Sequence, residues 1–595
     1  MTASAPPAPR PLAERLFGAW VRRLDAATLR ADGWAGLLGA VLVLPQAIAF
    51  ATLAGLPPQV GLATAILPCI IAALFGSSWQ VMSGPTNSLS LALLAMLAPL
   101  ALPGSPGYAE LAFAVTLMVG LLQLAIGGLR LSAVASFISP AALLGFTGGA
   151  ALLIAVHALK DGLGLRLEGA QGAGAILAAL AQAPQPIAPA ALAVALTTAA
   201  SALALKRLAP RWPALLLAVI AGSALAALLN RGGAGAVATL GAIPLPWPVP
   251  HWPQVEPAAL PELAGLAVAL TLVALAQQVA IAKAIAARSG QRLDTDREFV
   301  GQGLANMVGG LSSSFVACGS INRSIPNLEA GARTPMAAVF SALALALLVA
   351  LAAPLLAWIP LAAIAGLLWV VAAGLLDLPR WRELRRVDAR EFAIALATLA
   401  ATVTLRLEVA ILLGSLLSLG AYLHRTAKPA MRSMGFDTMT PARPFVVLEG
   451  HPQPLPECPQ LKLLRMEGAV YFGAAAHVSD TLHALRDAPD APRHLLVMCK
   501  SMNFIDPAGV QIWNEELAER RALGGDLYFH RPRPPVLETW QRAGFLDTLG
   551  PGHVFPDKHH AIAAIVPRLD EAVCARCTAR VFFECAQRPG PPPGG

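Results

Sequence analysis

Charge is the scarcest commodity in this 595-residue chain. Only 13% of the residues are Asp, Glu, Lys or Arg, against 56% hydrophobic, whereas a soluble domain is typically about a quarter charged. That shortage excludes one large soluble enzyme and a disordered scaffold, which both need solvated surface. The seven cysteines cannot all pair, and three crowd near the C-terminal end, so no disulfide framework is implied. The N-terminal thirty residues hold arginines from Arg10 to Arg30 but lack the apolar core and cleavage site of a secretory leader. A phosphate loop, a Ser-His-Asp arrangement and an HExxH motif are absent as well. The expectation is a protein that is not an enzyme. The net charge of +8 does not imply nucleic acid, because the basic residues stand in short clusters between apolar runs.

What the chain has is length in its apolar runs. Between about Trp34 and Leu423, stretches long enough to span a bilayer alternate with short polar breaks. Fourteen are expected, starting near Trp34, Val60, Gly84, Glu110, Pro140, Pro189, Pro213, Leu263, Phe299, Ile321, Pro335, Pro360, Phe392 and Leu407. The third, ninth and tenth are weak as simple spans. Loops after even-numbered spans carry clusters such as Lys206, Arg207 and Arg211, or Arg380, Arg382, Arg385, Arg386 and Arg390. Loops after odd-numbered spans carry only Lys160, Arg166, Arg231 and Arg406. This asymmetry puts both termini of a multi-pass protein in the cytoplasm, and the Ala-rich, Arg-over-Lys composition fits a bacterial inner membrane.

The apolar region repeats. GSSWQVMSGPTNS (76–88) resembles LSSSFVACGSINRS (311–324) at a constant offset, and nearly the same offset brings Gln46 to Gln277. Both copies show a short strand-like segment, then Gly84–Pro85 or Gly319–Ser320, then a new helix. Irregular backbone at membrane depth survives only when buried or lining a cavity. Two half-helices starting there aim free N–H groups and positive dipole ends at one point, which suits an anion. Thr86, Asn87, Ser320 and Asn322 add neutral donors, and Arg323 is the only arginine expected deep in the core. The bland alternatives are a plain Gly-Pro kink, an Arg323 that snorkels to an interface, and glutamines serving as interhelical glue.

Composition changes near Pro441. LKLLRMEGAVYFGAA and HLLVMCKSMNFID read as strands, residues 507–523 as a helix and DLYFHRP as a further strand, giving a cytoplasmic α/β domain. The divisions expected are 1–32, a cytoplasmic N-terminal segment; 33–428, a transmembrane domain; 440–570, the α/β domain; and 571–595, a tail. Cys574, Cys577 and Cys585 in that tail have the spacing C-x2-C-x7-C. Zinc or an iron–sulfur centre is one reading of them, with Cys458, His559 or His560 as a fourth ligand; three reduced thiols is the other. Asp25, Asp294, Asp296 and Glu298 read as loop charges or helix caps.

On LPQAIAFATLAGLPPQVGL (44–62), GLANMVGGL (303–311) and CGSINRSIPNLEAGARTP (318–335), nearly the whole chain resembles the sulfate permease (SulP) family, solute carrier family 26. Through MNFIDPAGVQ (502–511) the C-terminal domain resembles a STAS domain. The resemblance implies a polytopic α-helical membrane protein of 14 transmembrane helices in a 7+7 inverted repeat, with a cytoplasmic α/β STAS domain. It also implies an elevator-type mechanism, often in a homodimer, with the anion held by Gln46, by Pro85, Thr86 and Asn87, and by Ser320, Ile321 and Asn322 beside Arg323. Two departures stand out. Gln277 occupies the place of an eighth-helix carboxylate, which puts cation symport in doubt and favours exchange; and Pro507–Ala508 follow Asp506 where the STAS signature has phosphorylatable serine.

The expected function is secondary transport of small anions, sulfate by default, with bicarbonate, chloride and dicarboxylates open. The alternatives are a nucleobase transporter and a membrane-anchored STAS sensor with vestigial transport. Lipid and a cytoplasmic partner of the STAS domain complete the expected contacts, with no cofactor for transport.

Overall fold

The computed structural model describes residues 12–133, 139–165, 173–182, 187–209, 212–231, 237–241, 250–405, 407–437 and 444–591. Arg10, Arg166, Arg211, Arg406 and Pro441 lie outside the described residues. The chain forms two compact units, Met1–Leu419 and Gly420–Gly595.

A helix begins at or close to each of the fourteen expected starts: α1 Ala26–Leu53, α2 Pro58–Phe75, α3 Asn87–Leu97, α4 Pro106–Gly128, α5 Pro140–Leu163, α6 Pro189–Leu208, α7 Ala214–Arg231, α8 Leu260–Ser289, α9 Thr295–Gly310, α10 Ile321–Glu329, α11 Met336–Leu356, α12 Leu361–Leu375, α13 Ala389–Thr404 and α14 Leu407–Thr426. Among the described residues, ten helical stretches are long and apolar enough to cross a membrane, α12 only when it is taken on through the next helix to Val387. The exceptions in this set are α3, α9, α10 and α13, with 11, 16, 9 and 16 residues. Three of these were the weak spans of the sequence; the shortness of α13 was not foreseen. At about 1.5 Å per residue, α3 and α10 cover roughly half of a hydrocarbon core about 30 Å thick. Two further helices lie between the expected spans, Ala173–Gln182 and Leu378–Val387. The second carries Arg380, Arg382, Arg385 and Arg386 and buries none of its residues.

The helix packing has the symmetry the repeat demands. α1 and α2 pack on α11, while α8 and α9 pack on α4; α5 packs on α13, while α12 packs on α6. Each contact recurs when a helix of one half is exchanged for the helix seven places on. The contacts also sort the helices into two bundles, one of α1–α4 with α8–α11, the other of α5–α7 with α12 and α13. Small residues allow the tightest approach. A Cβ on Gly120 of α4 would lie 2.3 Å from the Met307 nitrogen, and one on Gly303 of α9 would lie 2.5 Å from the Leu124 nitrogen. In a bilayer this backbone-to-backbone packing replaces the hydrophobic drive that lipid removes.

The second unit is a six-stranded sheet. Its strands are β3 Met431–Phe436, β4 Phe445–Val447, β5 Leu461–Val470, β6 His494–Ile505, β7 Leu527–His530 and β8 Val554–Phe555, in the order β4-β3-β5-β6-β7-β8. β5 to β8 are parallel, and β3 is antiparallel to both its neighbours. The sheet thus takes its antiparallel strand β3 from residues ahead of the 440–570 stretch. Helix Pro507–Ala522 follows β6, with Asp506 as its cap: one carboxylate oxygen accepts from Gly509 N at 2.9 Å and the other from Phe472 N at 2.9 Å. Trp513, Phe529, Trp540 and Phe545 make its aromatic core. The tail is part of this unit, with Val581 and Phe582 buried against the other sheet face.

Candidate anion-binding site

The two repeated segments meet as a pair of very short strands. β1, Ser83–Gly84, lies antiparallel to β2, Cys318–Gly319, with Ser83 opposite Gly319 and Gly84 opposite Cys318. Helix formation resumes at once on both sides. Pro85 has no N–H to give a helix interior, and Thr86 and Ser320 sit in extended conformation as the residues before α3 and α10. Neither Thr86 nor Ser320 caps its helix with its side chain. First-turn N–H groups need a partner, and two such ends flank one short strand pair.

Arg323 lies between them. It is 1% exposed, and its Nε, Nη1 and Nη2 are all buried without a hydrogen-bond partner. The guanidinium lies against the β1 backbone: a Cβ on Gly84, whose φ is +153°, would stand 2.7 Å from Arg323 Nη1. A buried cation without a counter-charge costs several kcal/mol. Residues 81–90 are all buried, Pro85, Thr86 and Asn87 among them, whereas Ile321 and Asn322 are exposed. The Thr86 hydroxyl is buried without a partner. Asn87 turns its Oδ1 onto Ser88 N at 2.9 Å, leaving its amide group to donate. Gln46 on α1 is buried with a free Oε1, and Gln277 on α8 donates to Gly319 O at 3.5 Å. A small crevice of about 10 Å³ is lined by Phe146, Ala276 and Ile411, where α5, α8 and α14 meet one residue from Gln277.

A brace that the sequence reading missed holds the strand pair. Gln278 accepts from Gly319 N at 2.6 Å and donates to Glu298 Oε1 at 2.6 Å. The other oxygen of Glu298 accepts from Ser77 N and Ser78 N, both at 2.8 Å. Glu298 is therefore neither a loop charge nor a cap on its own helix but a buried clasp between the repeats. Asp25 and Asp294 do cap α1 and α9, accepting from Thr28 N at 2.6 Å and Arg297 N at 3.1 Å, and Asp296 accepts from Ser132 N at 3.2 Å. Gln302 joins Ser83 Oγ, at 2.9 Å, to Ala317 O, at 2.7 Å. Ser324 accepts from Met82 N at 3.0 Å and donates to Ser320 O at 2.7 Å. The one available signal was the spacing of Glu298, Gln302 and Asn306, a polar stripe at helical period on a span otherwise weakly apolar.

Residues 29–398 match the sulfate permease family. The chain belongs to that family. Residues 454–561 match the STAS domain. A probable sulfate transporter of Mycobacterium tuberculosis is 30% identical over 537 residues, 90% of this chain and 95% of that one. A chloroplastic sulfate transporter of Arabidopsis thaliana is 27% identical over 565 residues, 91% and 81% of the two chains. The fold matches that of the murine solute carrier 26 member A9 anion transporter in the inward-facing state, with TM-score 0.82, 18% identity, and 95% and 96% coverage. It also matches the transmembrane domain of a cyanobacterial bicarbonate transporter, with TM-score 0.60, 23% identity, and 66% and 98% coverage. This sulfate permease family member is thus a multi-pass helical membrane transporter of anions with a C-terminal STAS domain.

The cysteine-bearing tail of this family member lies in the other unit. Among the described residues no three His, Cys, Asp or Glu side chains are already arranged to hold a metal ion. His559 and His560 sit at the start of helix Lys558–Ile565, where exposed His560 bonds Asp557 at 2.6 Å.

Proposed function

We propose that this chain carries small anions, sulfate first, across a bacterial inner membrane, and that it works as an exchanger, with both termini cytoplasmic and a second copy as its partner. The observation that carries this reading is the buried Arg323 guanidinium, without a protein partner, against the β1 backbone at Gly84 where the two repeated segments pair. Hydrogen bonds to a charged group contribute about 1.5–3 kcal/mol each, and a tetrahedral or planar oxyanion can take several at once. The printed names of the curated relatives favour sulfate.

The two bundles support an elevator mechanism. The strand pair, α3, α10 and the brace all belong to one bundle, so the anion and its ligands can travel as one body against the other. Gln46 and Gln277 support exchange, since neither side chain ionises or matches a carboxylate as a cation ligand. The buried carboxylate nearby, Glu298, is already spent on two backbone N–H groups and an amide. A nucleobase transporter would place hydrogen-bonding carboxylates where this chain has Gln277 and Asn322–Arg323. Purified protein in liposomes, offered radiolabelled sulfate with bicarbonate, chloride and dicarboxylate as competitors, tests the reading. Sulfate uptake blocked by sulfate and selenate is the expected result. No flux of any of these anions leaves the STAS sensor as the surviving account.

A further inference from the structure

The tail cysteines converge with a fourth thiol from the segment that leads into β5. Cys458, Cys574, Cys577 and Cys585 all line one cavity of about 20 Å³. They come from three places in the chain: the segment leading into β5, the helix Glu571–Arg576 with the residue after it, and the turn Phe583–Gln587. Of the three fourth ligands suggested by sequence, only Cys458 is on this cavity.

The surroundings are those of sulfur held as an acceptor. The Gln460 side chain donates to Cys574 Sγ at 3.4 Å. The same side chain is clamped to the tail, donating to Asp570 O at 3.1 Å and accepting from Asp570 N at 2.9 Å. An outer-shell donor of this kind orients a metal ligand. Two cations line the cavity as well. Arg580 bonds the carbonyls of Cys585 and Arg588, and Arg588 holds Glu571 at 3.1 Å while its Nε is buried without a partner. Four thiolates around a divalent ion carry two net negative charges; the Arg580 guanidinium offsets one, while Arg588 is shared with Glu571.

We propose that Cys458, Cys574, Cys577 and Cys585 form a structural four-thiolate site for a single zinc-class ion. The sulfurs ring the cavity without yet standing at ligand distance; rotation of the three half-exposed tail thiols closes them to about 2.3 Å from the metal. Each thiol loses its proton to solvent as its bond to the metal forms, and nothing is oxidised or reduced. Size chooses between ion and cluster. A cavity of about 20 Å³ accommodates one water-sized body, not an iron–sulfur core. The site staples the tail to the segment that leads into β5.

Elemental analysis of the full-length protein, purified in detergent without chelators, tests this. About one zinc per chain and a colourless protein are expected. Cys458→Ser is expected to lose the zinc, and Gln460→Ala to weaken zinc affinity about 10- to 100-fold. Should Cys458→Ser not fold, Cys577→Ser, which alters a half-exposed thiol, is expected to show the same loss. Cobalt substitution is expected to give an intense sulfur-to-metal absorption that Cys577→Ser diminishes. Full zinc retention in both cysteine variants overturns the proposal. So does a metal-free chain whose thiols react equally fast with and without added zinc, and so does bound iron with visible absorption.

Discussion

At the scale of a single residue, Arg323 decides what the site can hold. A guanidinium always carries its charge, and in the hydrocarbon region a charge costs at least about 2.5–3.5 kcal/mol on insertion scales. Its three nitrogens are buried without a protein partner, which under the proposed function leaves the negative charge to the ligand. Arg323→Ala is therefore expected to fold, since no protein hydrogen bond is lost, and to bind anion about 10- to 100-fold more weakly, from about 1.5–3 kcal/mol per charged hydrogen bond. Uptake kinetics in liposomes measure it, and an unchanged half-saturating sulfate concentration in a well-expressed variant would move the site elsewhere. The sequence placed this arginine beside a helix start, and burial without a protein partner is what distinguishes it from an arginine snorkelling to an interface.

At the scale of an element, the strand pair β1–β2 is too short to stand alone; its order comes from Glu298, Gln278, Gln302 and Ser324. Glu298→Gln replaces an acceptor with a group that opposes either a backbone N–H or the Gln278 amide. A buried donor left unmade costs about 1–3 kcal/mol. The variant is expected to melt at lower temperature in detergent and to transport more slowly; wild-type melting and transport together would show that the clasp is dispensable. In the STAS unit, burial raises the Asp526 carboxyl, but the His553 ring at 2.9 Å, the Leu527 N–H and the charges of His553 and Arg521 outweigh it, so its pKa lies below the usual value. A depressed carboxyl contributes stability in full above the unfolded value of about 3.9 and loses it as pH falls through the folded value. Asp526→Asn is expected to exchange the amide hydrogens of β7 faster than wild type at neutral pH, with the difference shrinking in acid. A difference that stays constant to the acid limit would remove the ion pair from the account.

At the scale of the whole molecule, energy coupling separates exchange from symport. Moving one negative charge inward against 100 mV costs about 2.3 kcal/mol, and a counter-anion moving outward cancels it without any titratable group. Preloaded sulfate is expected to accelerate sulfate uptake into liposomes, and an imposed sodium gradient is not. Robust sodium stimulation of the unmodified protein would refute exchange and demand oxygen ligands other than Gln46 and Gln277. Gln277→Glu is the natural companion measurement, because it restores an ionisable group at that position.

Quantities that run along one dimension were enough to settle much of this protein. The scarcity of charge, the length of the apolar runs and the period of the strands at 461–470 and 494–505 named a polytopic membrane protein with an α/β appendage. The Gly-Pro break and the offset repeat located the strand pair and the two helix starts behind it, because a helix interrupted in apolar surroundings needs a reason. Contacts across the fold were beyond that reach. Glu298 lies 220 residues from Ser78, and the same carboxylate in an open loop would be spelled identically. Cys458 is more than a hundred residues from the tail thiols it joins, and no spacing rule chooses it over His559 or His560. The shortness of α13 and the free nitrogens of Arg323 likewise depend on which helices turn their faces together. Burial and partnership are properties of the packed chain, and only the tertiary structure could decide them.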